Sequence, residues 1–157
     1  MIYTPLTKKA LKIAYQAHHG QLDRNGLPYI FHPFHLAEQM EDEVSTAAAL
    51  LHDVIEDTDW TANDLRKAGF PPEVLELVSL LTHEETVPYM EYIRAIADSH
   101  NPAARNIKLA DLEHNSDLSR LDEITENDRL RMKKYQTARE FRLSADNTDC
   151  KSGGKLV

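Results

Sequence analysis

Ala47-Ala48-Ala49-Leu50-Leu51-His52-Asp53-Val54-Ile55-Glu56-Asp57 joins the most apolar stretch of the chain to its densest group of ligand-capable side chains. From Ala47 to Ile55 nearly every residue is apolar, and a helix that is apolar on all sides belongs at the centre of a domain. Other helices must then surround it. In helical geometry His52 and Glu56 lie four apart, as do Asp53 and Asp57, so the two pairs occupy neighbouring faces. Burying those charges beside an apolar helix is costly unless a partner or a metal compensates. The plain structural alternative is a helix end emerging into water.

Working outward, the rest of the body also reads as helices. Thr4-Pro5 opens the first, with Thr4 as N-cap and Pro5 at the first helical position, and Leu6, Ala10, Ile13, Ala14 and Ala17 form its inward stripe. Asp23-Arg24-Asn25-Gly26-Leu27-Pro28 is turn chemistry, and a helix restarts at Pro33 and runs to Met40. Ser45 or Thr46 caps the central helix, and Glu41-Asp42-Glu43 reads as a solvated helix end. Thr61 and Asp64 make a capping box for a short helix ending at Gly69. Pro71-Pro72, Pro88 and Asn101-Pro102 start three more, and a polar helix runs from Glu126 to about Arg142. The expectation is one all-α domain over residues 1–143, followed by a polar, disordered tail over 144–157.

Composition narrows the function classes. The 157 residues suffice for one domain with a real core. The net charge of −8 argues against a nucleic-acid polymer as partner, because such binding needs a dense basic footprint. No apolar run is long enough for a membrane span, and no signal peptide is visible. The lone Cys150 suits a reducing compartment, so a cytoplasmic location is expected.

Two further elements change the weight of His52-Asp53. His32 precedes Pro33 at a helix start, where its ring is free to turn inward; a lone histidine there is more often a cap or a core residue. Asp111, in Lys108-Leu109-Ala110-Asp111-Leu112-Glu113-His114-Asn115, lies beside the inward stripe of Ile107 and Ala110, where an unpaired carboxylate is expensive. Asn115 follows one turn later. Two imidazoles and two carboxylates from three helices make a mixed nitrogen–oxygen metal site suited to Mn²⁺ or Fe²⁺, with Zn²⁺ also compatible.

The order His32 … His52-Asp53 … Asp111 resembles the defining pattern of HD-domain phosphohydrolases. Within that superfamily, Gly26-Leu27-Pro28-Tyr29-Ile30-Phe31-His32-Pro33, Ala49 to Thr58 and Lys108-Leu109-Ala110-Asp111 … His114-Asn115 look like the hydrolase domain of the RelA/SpoT homologues, above all the small alarmone hydrolases. The resemblance covers roughly Thr4 to Leu121. It implies a Mn²⁺ site of His32, His52, Asp53 and Asp111, with Glu56 and Asp57 as catalytic residues that orient and activate water. It further implies removal of the 3′-pyrophosphate from guanosine 3′,5′-bis(diphosphate), a small phosphorylated nucleotide.

Two departures bear on recognition. Where that family carries adjacent basic residues, this chain has Asp23-Arg24, and where it usually has Arg-Leu-His-Asn the chain has Leu112-Glu113-His114-Asn115. Arg24 and Asn115 are the expected substrate contacts, and a basic residue restored at position 23 is expected to sharpen alarmone turnover. An altered clamp keeps open another phosphorylated nucleotide, such as a nucleoside monophosphate or NADPH. A catalytically silent metal- or nucleotide-sensing module is the alternative of another class. The remaining histidines read as structural: His18 and His19 at an exposed helix end, His83 and His100 beside loops, His114 behind Asp111. Tyr89, Met90 and Tyr92 read as core or rim, and Trp60 as packing for the loop after the central helix.

Overall fold

A computed structural model describes the backbone of residues 1–149 and the side chains of residues 1–141. Among the described residues the chain forms helices joined by short loops, with one isolated bridge between Leu22 and Pro28. The all-helical expectation holds. No helix among these residues is long and apolar enough to cross a membrane.

Helix α1 (Pro5–Ala17) begins where Thr4 and Thr7 cap each other reciprocally. Helix α2 (Phe31–Glu38) starts two residues before the proline expected to open it. Pro33 is tolerated there because backbone N–H groups in the first turn have no intrahelical acceptor, so its missing donor removes nothing. The consequence is functional, since His32 sits inside the helix and points into the body, buried.

Helix α3 (Glu43–Leu51) is the centre of the molecule. Its cap is Asp42 rather than Ser45 or Thr46: the Asp42 carboxylate accepts the Ser45 N–H at 2.9 Å and the Ser45 hydroxyl at 2.7 Å. Asp42 wins because the helix starts earlier than its apolar stretch, which leaves Ser45 and Thr46 buried on the first turn. Every residue from Ser45 to Leu51 is buried, and α3 packs on both α1 and α2. The chain then turns through His52 and Asp53 into a single helical turn, α4 (Val54–Asp57).

Thr61 and Asp64 form the expected capping box of α5 (Ala62–Lys67). Helix α6 (Pro72–Leu81) and helix α8 (Pro102–Ser116, capped by Asn101) close further sides of α3, and α7 (Tyr89–Asp98) packs on both of them. After a 3-10 turn (Leu118–Arg120), α9 (Glu126–Asp149) lies across α7 and α8. The final helix thus runs past the expected limit near Arg142, because Ser144 to Asp149 contains neither the glycine nor the proline that would stop it. The expected boundary at residue 143 falls inside this helix, and residues 150–157 of the expected tail lie outside the described residues.

Asp42→Ala should remove about 1 kcal/mol by opening the α3 cap, seen as a thermal midpoint lower by roughly 2–4 °C for a domain of this size. An unchanged midpoint would mean the cap contributes nothing.

Candidate metal centre and its cavity

The sequence reading placed His52 and Asp53 inside one continuous helix; instead the helix breaks there. His52 turns its ring back onto α3, and Nδ1–H donates to the Ala49 carbonyl at 2.8 Å. Carbonyls of a last turn lack intrahelical donors, so this bond helps finish the helix. It also fixes the tautomer: with the proton on Nδ1, Nε2 is a bare lone pair. That Nε2 is buried, makes no hydrogen bond and stands 2.9 Å from Asp53 Oδ2. Two lone pairs facing each other at that distance call for a positive charge between them. The imidazole records the same demand: burial pulls its pKa down, but the carboxylates of Asp53 and Asp111 outweigh burial and raise it to about 9.

His32, from the first turn of α2, brings its Nε2 to 3.6 Å from Asp53 Oδ2 and 3.2 Å from Asp111 Oδ1. Among the described residues, His32, His52 and Asp53 offer ligand atoms that all lie within 4.8 Å of one another. Burial opposes ionisation of Asp53, yet His52 and His32 hold its carboxyl at about 2. The bare Nε2 and the donor set of imidazoles and carboxylates fit a divalent cation. Asp111 stands beside this group rather than within it. Its Oδ1 accepts from Asn115 Nδ2 at 2.5 Å and its Oδ2 from Lys108 Nζ at 2.6 Å. Burial opposes its charge, but Lys108 and His32 hold Asp111 well below the usual carboxylate range.

The group forms the floor of a cavity of about 470 Å³, a size typical of small-molecule sites. Glu56 and Asp57 face this space from α4. Partial burial raises the pKa of both; the Asp53 charge adds to the rise, while the His83 N–H holds Glu56 back and the Tyr29 hydroxyl holds Asp57 back. His83 N donates to Glu56 Oε2 at 2.9 Å, and Tyr29 Oη donates to Asp53 Oδ2 at 2.6 Å. Carboxylates with raised pKa beside a cation site are suited to proton transfer.

Cations line the same cavity: Arg24, Lys108, Arg120, Arg131 and Lys134. Lys108 is locked against Asp111 and over the face of Tyr92. Arg120 pairs with Asp23 at 3.2 Å, and Arg24 pairs with the buried Asp128 of α9. Arg131 and Lys134 pair with no carboxylate among the described residues. Burial lowers the pKa of Lys134, and the neighbouring charges of Lys108 and Arg131 lower it further. An anion placed there would relieve that repulsion.

All four expected ligand residues therefore meet at one end of α3, and Glu56, Asp57, Arg24 and Asn115 line the same cavity. Asp23 differs from its expected part as a reversed clamp charge. Its Oδ1 accepts the N–H groups of Asn25 and Leu27 at 2.8 and 3.0 Å, shaping a turn completed by Gly26 at φ +75°. His18 is buried rather than exposed: its Nδ1 is 2.8 Å from Gln21 Oε1, and its ring lies against Tyr29. The loop after α1 folds back over it and hides what would otherwise be a helix end. His114 lies behind His32 rather than Asp111, their Nδ1 atoms 2.7 Å apart. Sequence reasoning gave no role to Tyr29 or Lys108, although both fall in the stretches that carried the resemblance. Arg131, Lys134 and Tyr135 share one face of α9 by spacing of three and four, a signal present in the sequence but unread in so polar a helix.

Residues 10–114 match the HD domain family, and the chain belongs to it. The guanosine-3′,5′-bis(diphosphate) 3′-pyrophosphohydrolase of Borreliella burgdorferi is 38% identical over 120 residues, 68% of this chain and 18% of that protein. The human guanosine-3′,5′-bis(diphosphate) 3′-pyrophosphohydrolase MESH1 is 37% identical over 108 residues, 62% of this chain and 60% of its own length. The matched region thus spans less than two thirds of either relative. A solved structure described as a metazoan ortholog of SpoT that hydrolyses ppGpp and plays a role in starvation responses superposes with a TM-score of 0.72. It is 25% identical, and the match covers 98% of each chain.

Saturating Mn²⁺ should raise the thermal midpoint of the protein, since a ligand that binds only the folded state stabilises it by about 2.7 kcal/mol at a hundred times its Kd. His52→Ala and Asp53→Ala should abolish that rise. A metal-dependent shift that survives both substitutions would place the cation elsewhere.

Proposed function

We propose that this chain is a metal-dependent phosphohydrolase that removes pyrophosphate from the 3′ position of guanosine 3′,5′-bis(diphosphate), working in the cytoplasm on this small nucleotide. The observation that carries the reading is the polarity of one cavity. His32 and Asp53 line it beside the buried His52, two carboxylates of raised pKa stand beside them, and Arg131 and Lys134 of α9, which pair with no carboxylate among the described residues, line the same space. The printed names of the relatives point to the same substrate.

His32, His52, Asp53 and Asp111 would hold the metal, taken here as Mn²⁺, with Fe²⁺ or Zn²⁺ compatible with the same donors. Such a cation supplies Lewis acidity, polarising a phosphoryl oxygen and making water more acidic. Glu56, fixed by the His83 N–H, takes a proton from the attacking water. Asp57, whose Oδ2 lies 3.4 Å from the Tyr29 hydroxyl, orients that water. The water oxygen bonds to the phosphorus attached at the 3′ position, the bond from phosphorus to the ribose 3′ oxygen breaks, and Glu56 returns the proton to that oxygen. GDP and pyrophosphate result. Arg131 and Lys134 receive substrate phosphates, Tyr135 offers a face for the base, and Asn115 and Arg24 bound the same space.

A second substrate reading rests on the ion pair between Arg24 and Asp128, which ties up the cation expected to clamp the nucleotide. It would make a nucleoside monophosphate or NADPH the substrate of the same machinery. Product analysis separates the two. Mn²⁺-loaded protein should convert guanosine tetraphosphate to GDP and pyrophosphate, with Asp53→Ala as blank. Orthophosphate released from another nucleotide would overturn the substrate. No product from a metal-loaded protein would favour a sensing module.

Glu56→Gln should keep the metal-dependent thermal shift while kcat falls by about 10²- to 10⁴-fold, the range of general acid–base contributions. Loss of metal from Glu56→Gln would make Glu56 a ligand instead.

A further inference from the structure

Behind the metal group lies a polar chain that the hydrolytic chemistry does not use. Arg120 donates from Nη1 to His114 Nδ1 at 2.9 Å and to the His114 carbonyl at 2.9 Å. His114 Nδ1 is also 2.7 Å from His32 Nδ1. The His114 ring stacks on His35 at 4.5 Å, and its centroid lies 4.9 Å from that of His32, the nitrogen-bearing edges of the two rings facing each other. At its other end Arg120 pairs with Asp23, the residue that organises the turn at the cavity mouth.

Proton placement along this chain follows from its one obligate donor, Arg120. An arginine guanidinium always donates, so His114 Nδ1 must be an acceptor and carries no hydrogen. His32 Nδ1 can then satisfy its short contact only by donating, so two donors share the one in-plane lone pair of His114 Nδ1, with His32 at the shorter distance. The His32 proton is therefore on Nδ1, and Nε2 presents its lone pair to Asp53 and Asp111. His52 reaches the same tautomer through a backbone carbonyl; His32 reaches it through an arginine one residue removed.

We propose that His114, oriented by Arg120, is a positioning residue for His32: it fixes the tautomer and ring angle that a metal ligand needs, and through Asp23 it couples the turn at the cavity mouth to metal retention. The inference rests on reading His32 as a ligand. Ligating histidines commonly hand their second N–H to a partner of this sort, and loss of such partners weakens metal binding by about 10- to 100-fold. An imidazole acceptor is unusual in being uncharged, and the Arg120 cation on the same nitrogen limits how basic it makes His32. A site built this way holds its metal firmly only while Arg120 keeps both of its contacts.

The test is calorimetric titration of metal-free protein with Mn²⁺. His114→Phe keeps a flat ring for the stack but removes the acceptor, and should weaken binding about 10- to 100-fold. His114→Gln, whose side-chain oxygen can accept from His32 Nδ1–H, should recover most of the loss. Asp23→Asn keeps an oxygen for the turn but drops the ion pair, and should weaken binding several-fold in the same direction. Thermal midpoints of the metal-free variants report any general loss of fold, which would lower the midpoint of His114→Phe without separating it from His114→Gln in metal affinity. Equal Mn²⁺ affinity in wild type, His114→Phe and His114→Gln would overturn the inference and leave the metal site standing. Failure of the wild type to bind Mn²⁺ any better than His52→Ala would overturn both.

Discussion

The structure depends on keeping negative charge ionised inside a helical core. Asp53 and Asp111 reach the buried end of α3, where desolvation alone would neutralise them. Each is rescued by a different device. Asp111 is salt-bridged by Lys108, itself almost fully enclosed and capped by the faces of Tyr89 and Tyr92. Asp53 has no such cation and faces imidazoles. A buried carboxylate with a fixed ammonium is a satisfied structural pair. Asp53 instead accepts from the Tyr29 hydroxyl and faces two ring nitrogens, a setting that a divalent cation would fit.

The same constraint explains how an acidic chain can host an anionic substrate. Net charge governs long-range behaviour, whereas a site is set by the charges within a few ångströms of it. Carboxylates gather on α4 and at the end of α3, and cations gather on α8 and α9 across the cavity. Helix α9 lines this cavity, and among the described residues it adds Ala138 to the buried hydrophobic core.

What could be read from the sequence follows from how local the physics is. The apolar run Ala47 to Leu51 announces a central helix, whereas His32, His52, Asp53 and Asp111 each have a structural explanation alone and are singled out by their order and by the resemblance it carries. The break at His52-Asp53 was not legible, since it depends on the His52 ring finding the Ala49 carbonyl, a tertiary choice with no propensity behind it. Asp42 was missed as a cap because its acidic neighbours Glu41 and Glu43 made it look like part of a solvated end. The cationic face of α9 was missed for a related reason. On a helix so polar, Arg131 and Lys134 cannot be told from ordinary solvated charges until α8 is placed beside them.

Asp23 departs from the family pattern in charge and also has contacts within the fold. Read as a charge reversal in a substrate clamp, it predicts weakened binding that a basic residue should repair. In the folded chain its carboxylate has three neighbours already: two backbone N–H groups of its own turn and the Arg120 guanidinium. A lysine there would lose both turn hydrogen bonds and set a positive charge against Arg120. The adjacent Arg24 is likewise committed to Asp128. These pairs of opposite polarity stitch the turn to the 3-10 segment and to α9, closing the rim of the cavity. The loop's charges are thus engaged in architecture, whereas Arg131 and Lys134 line the cavity as cations whose charge no carboxylate among the described residues has claimed.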